Sequence, residues 1–159
     1  MQRRLARACV VVLLACVTAF TTVTPAAADD LDSDRFRVTL RTVSGHYQDV
    51  GPQGPSVGDS FTFSDKLFHR GERVGRDDGR CDVTRAGPGR FAFQCVVTLT
   101  LRGRGQIALQ GVFAFRRGVP DRNKVIAITG GTGIYAGASG SAKLMDQRDE
   151  PTRLQIRLR

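Results

Sequence analysis

The chain has 159 residues, 41 % of them hydrophobic, which fits one domain with a core of its own. Its 24 Lys and Arg against 15 Asp and Glu give a formal charge of +9. The arginines, among them Arg35, Arg70, Arg85, Arg102, Arg122 and Arg153, are scattered over strand-like and turn-like segments without aromatics placed to stack on bases, which argues against specific nucleic-acid binding and for a solvated basic exterior.

Residues 1–28 stand apart from the rest. Arg3, Arg4 and Arg7 precede an apolar run from Ala8 to Val17, and Ala26-Ala27-Ala28 forms a small-residue cleavage site. This is the pattern of a secretory signal peptide and not of a membrane span. The domain is therefore expected to occupy 29–159, to begin at Asp29, to be secreted and to contain no membrane span. Two alternatives stand beside this: Arg3-Arg4 as a twin-arginine signal, and Leu13-Leu14-Ala15-Cys16 as the outline of a lipoprotein box that would anchor the chain through Cys16. Loss of the segment lowers the formal charge to +6.

Strand signals dominate the rest of the chain. From Arg35 to Val43, Phe36, Val38 and Leu40 alternate with Arg35, Arg37, Thr39 and Arg41, the period of a half-buried strand. His46 to Val57 reads as a loop, broken by Gly51-Pro52 and Gly54-Pro55. Ser60 to Phe68 places Phe61, Phe63, Asp65 and Leu67 on one face, and the acid among apolar neighbours makes Asp65 the candidate functional residue. Arg70 to Gly79 is polar and glycine-bearing, a long turn or a twisted edge segment. Phe91 to Leu101 and Ile107 to Phe115 alternate cleanly, with Phe91, Phe93 and Cys95 on one face of the first and Ile107, Leu109 and Phe113 on one face of the second. Val125 to Thr129, Ser139 to Met145 and the Leu154, Ile156, Leu158 alternation complete the set. No long segment reads as an amphipathic helix.

Cysteine usage agrees with export. Cys9 and Cys16 leave with the signal segment, and Cys81 and Cys95 remain. Each lies seven residues from Pro88 in the Gly87-Pro88-Gly89 turn. A hairpin centred there sets Cys81 opposite Cys95, Val83 opposite Phe93 and Arg85 opposite Phe91, at a separation suited to a disulfide. Two cysteines with His46 and His69 have no zinc spacing, so no metal is expected.

The stretch from Ile128 to Leu144, ITGGTGIYAGASGSAKL, reads as a strand end, a glycine turn and a new strand. Glycine is expected to supply positive φ at Gly130, Gly131 and Gly133 and to let a ring, Tyr135, approach the backbone. A phosphate loop would need a lysine and a hydroxyl opening a helix, which this stretch lacks. Seven or eight short strands imply an antiparallel barrel or sandwich.

This stretch resembles the signature of the allene oxide cyclase barrel family, the relatives of plant dirigent proteins. Two further blocks match in order: Gly58-Asp59 with Phe63-Ser64-Asp65-Lys66-Leu67-Phe68, similar to the family's GD and F-S-N-K-L-Y strand, and Gly105-Gln106-Ile107 through Gln110-Gly111, similar to its G-x-I-x-x-Q-G strand. The resemblance implies an all-β, antiparallel, up-and-down barrel of about eight strands, calycin-like, whose interior holds packed side chains or one small ligand. It also implies cofactor-free chemistry: ring closure, intramolecular Diels–Alder cyclisation or guided radical coupling, in which holding a reactive fold supplies up to ~7–11 kcal/mol. The family's water-binding Asn falls on Asp65, and its barrel-wall cysteine on Cys81. The family's first strand also carries an acid followed by Ser-Pro, and Phe36 to Val43 has no acid.

The resulting expectation is a secreted barrel that binds an apolar small molecule without catalysis. The alternative is a cyclase, isomerase or dirigent-type guide without cofactor acting on a polyunsaturated substrate. Phe61, Phe63, Leu67, Phe91, Phe93, Phe113 and Tyr135 are the candidate lining residues. Asp65 is either a general acid or base, or the partner of Arg37 or Arg41 in a salt bridge. Homo-oligomerisation is left open.

Overall fold

The computed structural model describes residues 30–116, 124–145 and 151–159. The segment read as a signal peptide, with Cys9 and Cys16, lies outside the described residues, as does Arg122. Eight strands come in sequence: β1 (Arg35–Gln48), β2 (Ser60–His69), β3 (Glu72–Gly87), β4 (Arg90–Leu101), β5 (Gly105–Arg116), β6 (Lys124–Gly131), β7 (Gly140–Met145) and β8 (Arg153–Leu158). Each pairs antiparallel with the next, and β8 pairs with β1 from Arg35↔Arg157 to Thr39↔Arg153, closing an up-and-down barrel. Two 3-10 turns, Asp30–Asp32 and Gly133–Tyr135, sit outside the strand sequence. No helix among the described residues is long and apolar enough to cross a membrane.

The strand boundaries depart from the sequence pattern in two places, each with a local cause. β1 continues to Gln48, through part of the predicted loop, because a bulge between Thr42 and Ser44 resets its alternation and turns Gly45 and Tyr47 toward the side that Phe36 and Val38 face. Arg70 to Gly79 is neither a long turn nor an edge. Only Arg70 (φ +50) and Gly71 (φ +88) make the turn, both left-handed as a tight hairpin requires, and Glu72 onward is full barrel strand.

One end of the barrel is filled. Val38, Leu67, Leu99, Leu101, Ile107 and Ile156 are buried there, and Leu31 and Tyr135 seal it. The Tyr135 ring lies 6.4 Å from Phe36, and its hydroxyl donates to the Leu31 carbonyl at 3.1 Å. Fully burying each such aliphatic side chain stabilises the fold by roughly 1.5–3 kcal/mol. The glycine-rich stretch serves this seal. Gly133 (φ +64) lies so close to the β4–β5 connection that a Cβ would come within 2.1 Å of the Arg104 carbonyl oxygen. Positive φ occurs at Gly133, Gly137 and Gly140, whereas Gly130 and Gly131, expected to share it, are extended strand residues. Gly131 is needed instead for close approach to the Tyr135 carbonyl oxygen, 2.4 Å from where a Cβ would stand.

The β3–β4 hairpin turns at Pro88-Gly89, and Cys81 pairs with Cys95 both in register and as a disulfide, with a Cα–Cα distance of 4.0 Å. Val83 faces Phe93 as expected, but a bulge between Val83 and Arg85 shifts the tip, so that Arg85 lies opposite Ala92 and Ala86 opposite Phe91. Closing a loop of this size contributes about 3 kcal/mol through the unfolded chain. Cys81→Ala with Cys95→Ala should therefore lower the urea unfolding free energy by about 2–4 kcal/mol while the far-ultraviolet circular dichroism keeps its β signature. Equal unfolding midpoints for wild type and double variant would contradict a bracing role.

Candidate functional site

The other half of the barrel is hollow. Its cavity, about 470 Å³, falls within the range of small-molecule sites and is walled by aromatic rings together with aliphatic side chains. Phe61 and Phe63 stack at 5.7 Å, Phe93 meets Phe115 edge-on at 5.3 Å, and Phe113 stands beside them. The Cys81–Cys95 disulfide is part of the wall. Of the residues expected to line a lumen, Phe61, Phe63, Phe93, Phe113 and Asp65 do so, and Leu67, Phe91 and Tyr135 do not. Leu67 is one inward position beyond Asp65, already in the filled half; Phe91 has passed the hairpin bulge to the tip; Tyr135 belongs to the seal at the opposite end.

Asp65 sits at the cavity floor and has an acidic partner. The β2–β3 register sets it directly opposite Asp77, and the Asp65 backbone N–H donates to Asp77 Oδ1 at 3.0 Å. Asp65 is 8 % exposed and Asp77 1 %. Asp65 Oδ1 has no hydrogen-bond partner among the described residues. The anticipated ion pair with Arg37 or Arg41 is not made, because these arginines project from the outer surface of β1, where Arg41 lies 4.4 Å above the Phe68 ring. Burial first, and then the nearby Asp65 charge, push Asp77 up to about 7 from its ordinary 3.8, against the pull of the Asp65 N–H. Burial and the facing carboxylate thus favour the protonated form of Asp77. The sequence signal for Asp77 lies in the alternation of its own strand: counting back by twos from Cys81 gives Gly79 and Asp77 on the same inward face.

Tyr47 brings a third carboxylate, Asp59, to the mouth of the cavity. Its hydroxyl donates to Asp59 Oδ2 at 2.6 Å, and the N–H groups of Ser56 and Val50 reach Asp59 at 2.6 and 2.8 Å. These donors, the tyrosine hydroxyl first, hold Asp59 down at about 2, and the hydrogen bond to the Asp59 carboxylate pushes Tyr47 up to about 12. The loop 49–59 is therefore clipped above the ordinary carboxylate value, and the clip is lost only as pH falls through about 2. Val83 N–H donates to the Asp59 carbonyl at 2.8 Å, tying the same loop to β3. Beyond the mouth, Arg85, Arg90 and Arg116 frame a second concavity that shares Phe115 with the first. Among the described residues no cluster of three or more His, Cys, Asp or Glu could hold a metal ion.

The family model described as the allene oxide cyclase barrel like domain matches residues 38–158. Among solved structures, a pyocyanin demethylase is 27 % identical with a TM-score of 0.68, over 79 % of this chain and 99 % of that one. A Diels–Alderase from Streptomyces koyangensis is 19 % identical with a TM-score of 0.62, over 82 % and 66 % of the two chains. A pterocarpan synthase dirigent protein is 14 % identical with a TM-score of 0.55, over 78 % and 91 %. The last two show likeness of fold alone. No curated protein matches the chain.

The acid pair has a consequence for stability. Because the folded-state value of Asp77 lies above its unfolded value, the folded chain binds more protons between about pH 4 and 7, so this group's contribution is present below about pH 4 and is lost as pH rises through about 7. Asp77→Asn removes that loss. The variant should be more stable than wild type at pH 8, by on the order of 1–2 kcal/mol, with the gain vanishing near pH 4, read by urea unfolding at both pH values. A variant no more stable at pH 8 would show that the carboxyl is not strained there.

Proposed function

We propose that the chain, which belongs to the allene oxide cyclase barrel-like family, is an acid–base catalyst that holds a planar or conjugated apolar molecule in the barrel cavity and relocates a proton on it. The observation that carries this reading is the Asp65–Asp77 pair, two buried carboxyls facing each other at the floor of an aromatic cavity. A buried acid pair costs stability and adds nothing to packing, which is the signature of a functional group rather than of a core. The acid missing from the first strand is supplied here by β3. For that reason we favour the catalytic alternative over plain binding.

The chemistry needs only the chain's own side chains. The stacked Phe61 and Phe63 and the edge-on Phe93 and Phe115 hold a flat molecule in one plane. Asp65, with Oδ1 unpartnered, accepts a proton from an acidified C–H or N–H at the buried end of the ligand. Asp77 donates its proton at another position of the conjugated system. The ligand leaves as an isomer of the same composition, and the pair regains its starting state by passing the proton back. Acid–base assistance of this kind accelerates by about 10²–10⁴-fold.

Pyocyanin is the first candidate substrate, supported by the 27 % identity to a pyocyanin demethylase over nearly all of that protein's length. We place the activity outside the cytoplasm, on the strength of the leader pattern in residues 1–28.

The test is incubation of the protein in D2O with pyocyanin and with a panel of conjugated heteroaromatics, followed by mass spectrometry of the recovered ligand. A ligand that binds should gain deuterium or rearrange. Asp77→Asn and Asp65→Asn should each slow this by about 10²-fold or more while leaving the dissociation constant within a few fold. Bound ligands that neither exchange nor rearrange would return the protein to the class of plain binders.

A further inference from the structure

The concavity beyond the cavity mouth plays no part in the proton chemistry and has a composition of its own. Arg90 on β4 stands directly opposite Arg116 on β5, although like charges in that position repel. The bulge after Val83 brings Arg85 to the same place. None of the three is ion-paired with a carboxylate of the described residues. Phe91 and Phe115, the next register pair, border the same concavity, and Lys124, 4.5 Å above the Phe115 ring, carries the positive charge over into the main cavity. Elsewhere on the same hairpin, Arg76 and Arg80 are each neutralised by an aspartate two residues on. Positive charge without a carboxylate partner among the described residues, beside aromatic rings, is an arrangement for recognising an anion.

We propose that the Arg85–Arg90–Arg116 concavity is an anion-binding site that takes the acidic group of an organic anion whose apolar body enters the cavity. This rests on the cavity being the ligand site, as proposed above. The rim and the floor of the cavity then have opposite polarity. Eight residues of β4, about 26 Å of strand, separate Phe91 from Leu99, the register partner of Asp77. A ligand is thus oriented before it reaches the acid pair, its anionic group at the rim and its uncharged end inward.

The test compares two fluorescent probes with the same ring system, 8-anilinonaphthalene-1-sulfonate and the uncharged N-phenyl-1-naphthylamine, titrated into the oxidised protein. At low salt the sulfonate should bind about tenfold or more tightly than the neutral probe, and the preference should fade by about 0.5 M salt. Arg90→Gln with Arg116→Gln should erase the preference and leave the neutral probe's affinity unchanged. Arg35→Gln with Arg157→Gln, on the outer wall, should leave the preference intact. Equal affinities in the wild type, or a preference that survives Arg90→Gln with Arg116→Gln, overturns the anion site. Arginine-dependent sulfonate binding with no binding of the neutral probe supports the anion site and sinks the cavity reading instead.

Discussion

The structure depends on a short seam. Five residue pairs between β1 and β8 convert a meander with two open edges into a closed wall, and only a closed wall has an inside. With eight strands that inside is barely wider than the side chains that point into it, so its contents decide what the protein is. In the filled half the inward positions carry Leu, Ile and Val, and the two 3-10 turns cap them. In the hollow half three inward positions are glycine. The Phe63 ring lies across Gly79, where a Cβ would stand 2.3 Å from it, the Phe61 ring lies beside Gly45, and Gly111 abuts Ile126. The cavity has room because these three side chains are missing and the rings beside them lie against the wall.

β3 concentrates the tension between stability and chemistry. From 77 to 81 its inward face reads Asp77, Gly79, Cys81: a buried acid, a position with no side chain and half of a disulfide. Such a stretch contributes little hydrophobic stabilisation, and burial of Asp77 opposes folding. Ladder pairing on both sides and the covalent link to β4 hold it in place. The bridge thus lies two inward positions from the acid pair, where local opening would do most harm to the site. On the outer side of the same strand, Arg76 with Asp78 and Arg80 with Asp82 are exposed ion pairs that contribute little to stability but leave that wall neutral.

Much of the fold was legible in the sequence, and the failures have physical causes. β4 and β5 were plain because every inward position but Gly111 is apolar, and the disulfide was plain because a central turn fixes the register of both cysteines. β3 was obscure for the opposite reason: an inward face of acid, glycine and cysteine gives no hydrophobic contrast for a period of two. Tyr47 was hidden by the bulge after Thr42, which breaks the alternation that would have placed it inside. Tyr135 was recognised as a buried ring, but composition does not say which end of a barrel a turn will close. The idea of an Asp65 bridge to Arg37 or Arg41 could have been rejected from the pattern alone. Arg37 and Arg41 alternate with the inward Phe36, Val38 and Leu40, whereas Asp65 shares a face with Phe61 and Phe63. The segment 1–28 belongs to a different kind of reading, one of processing rather than of packing.

The seal formed by Leu31 and Tyr135 leaves the interior a blind alley. What enters past Tyr47 and Phe61 has to back out the same way, and no newcomer can advance until it does. Under the proposed function affinity and throughput are therefore opposed in this vessel: each ring that would steady a flat guest during the reaction would also delay its departure. A converted molecule that fits as well as its precursor becomes its own successor's obstacle, so traffic through the barrel favours conversions that leave the guest a poorer fit for the walls.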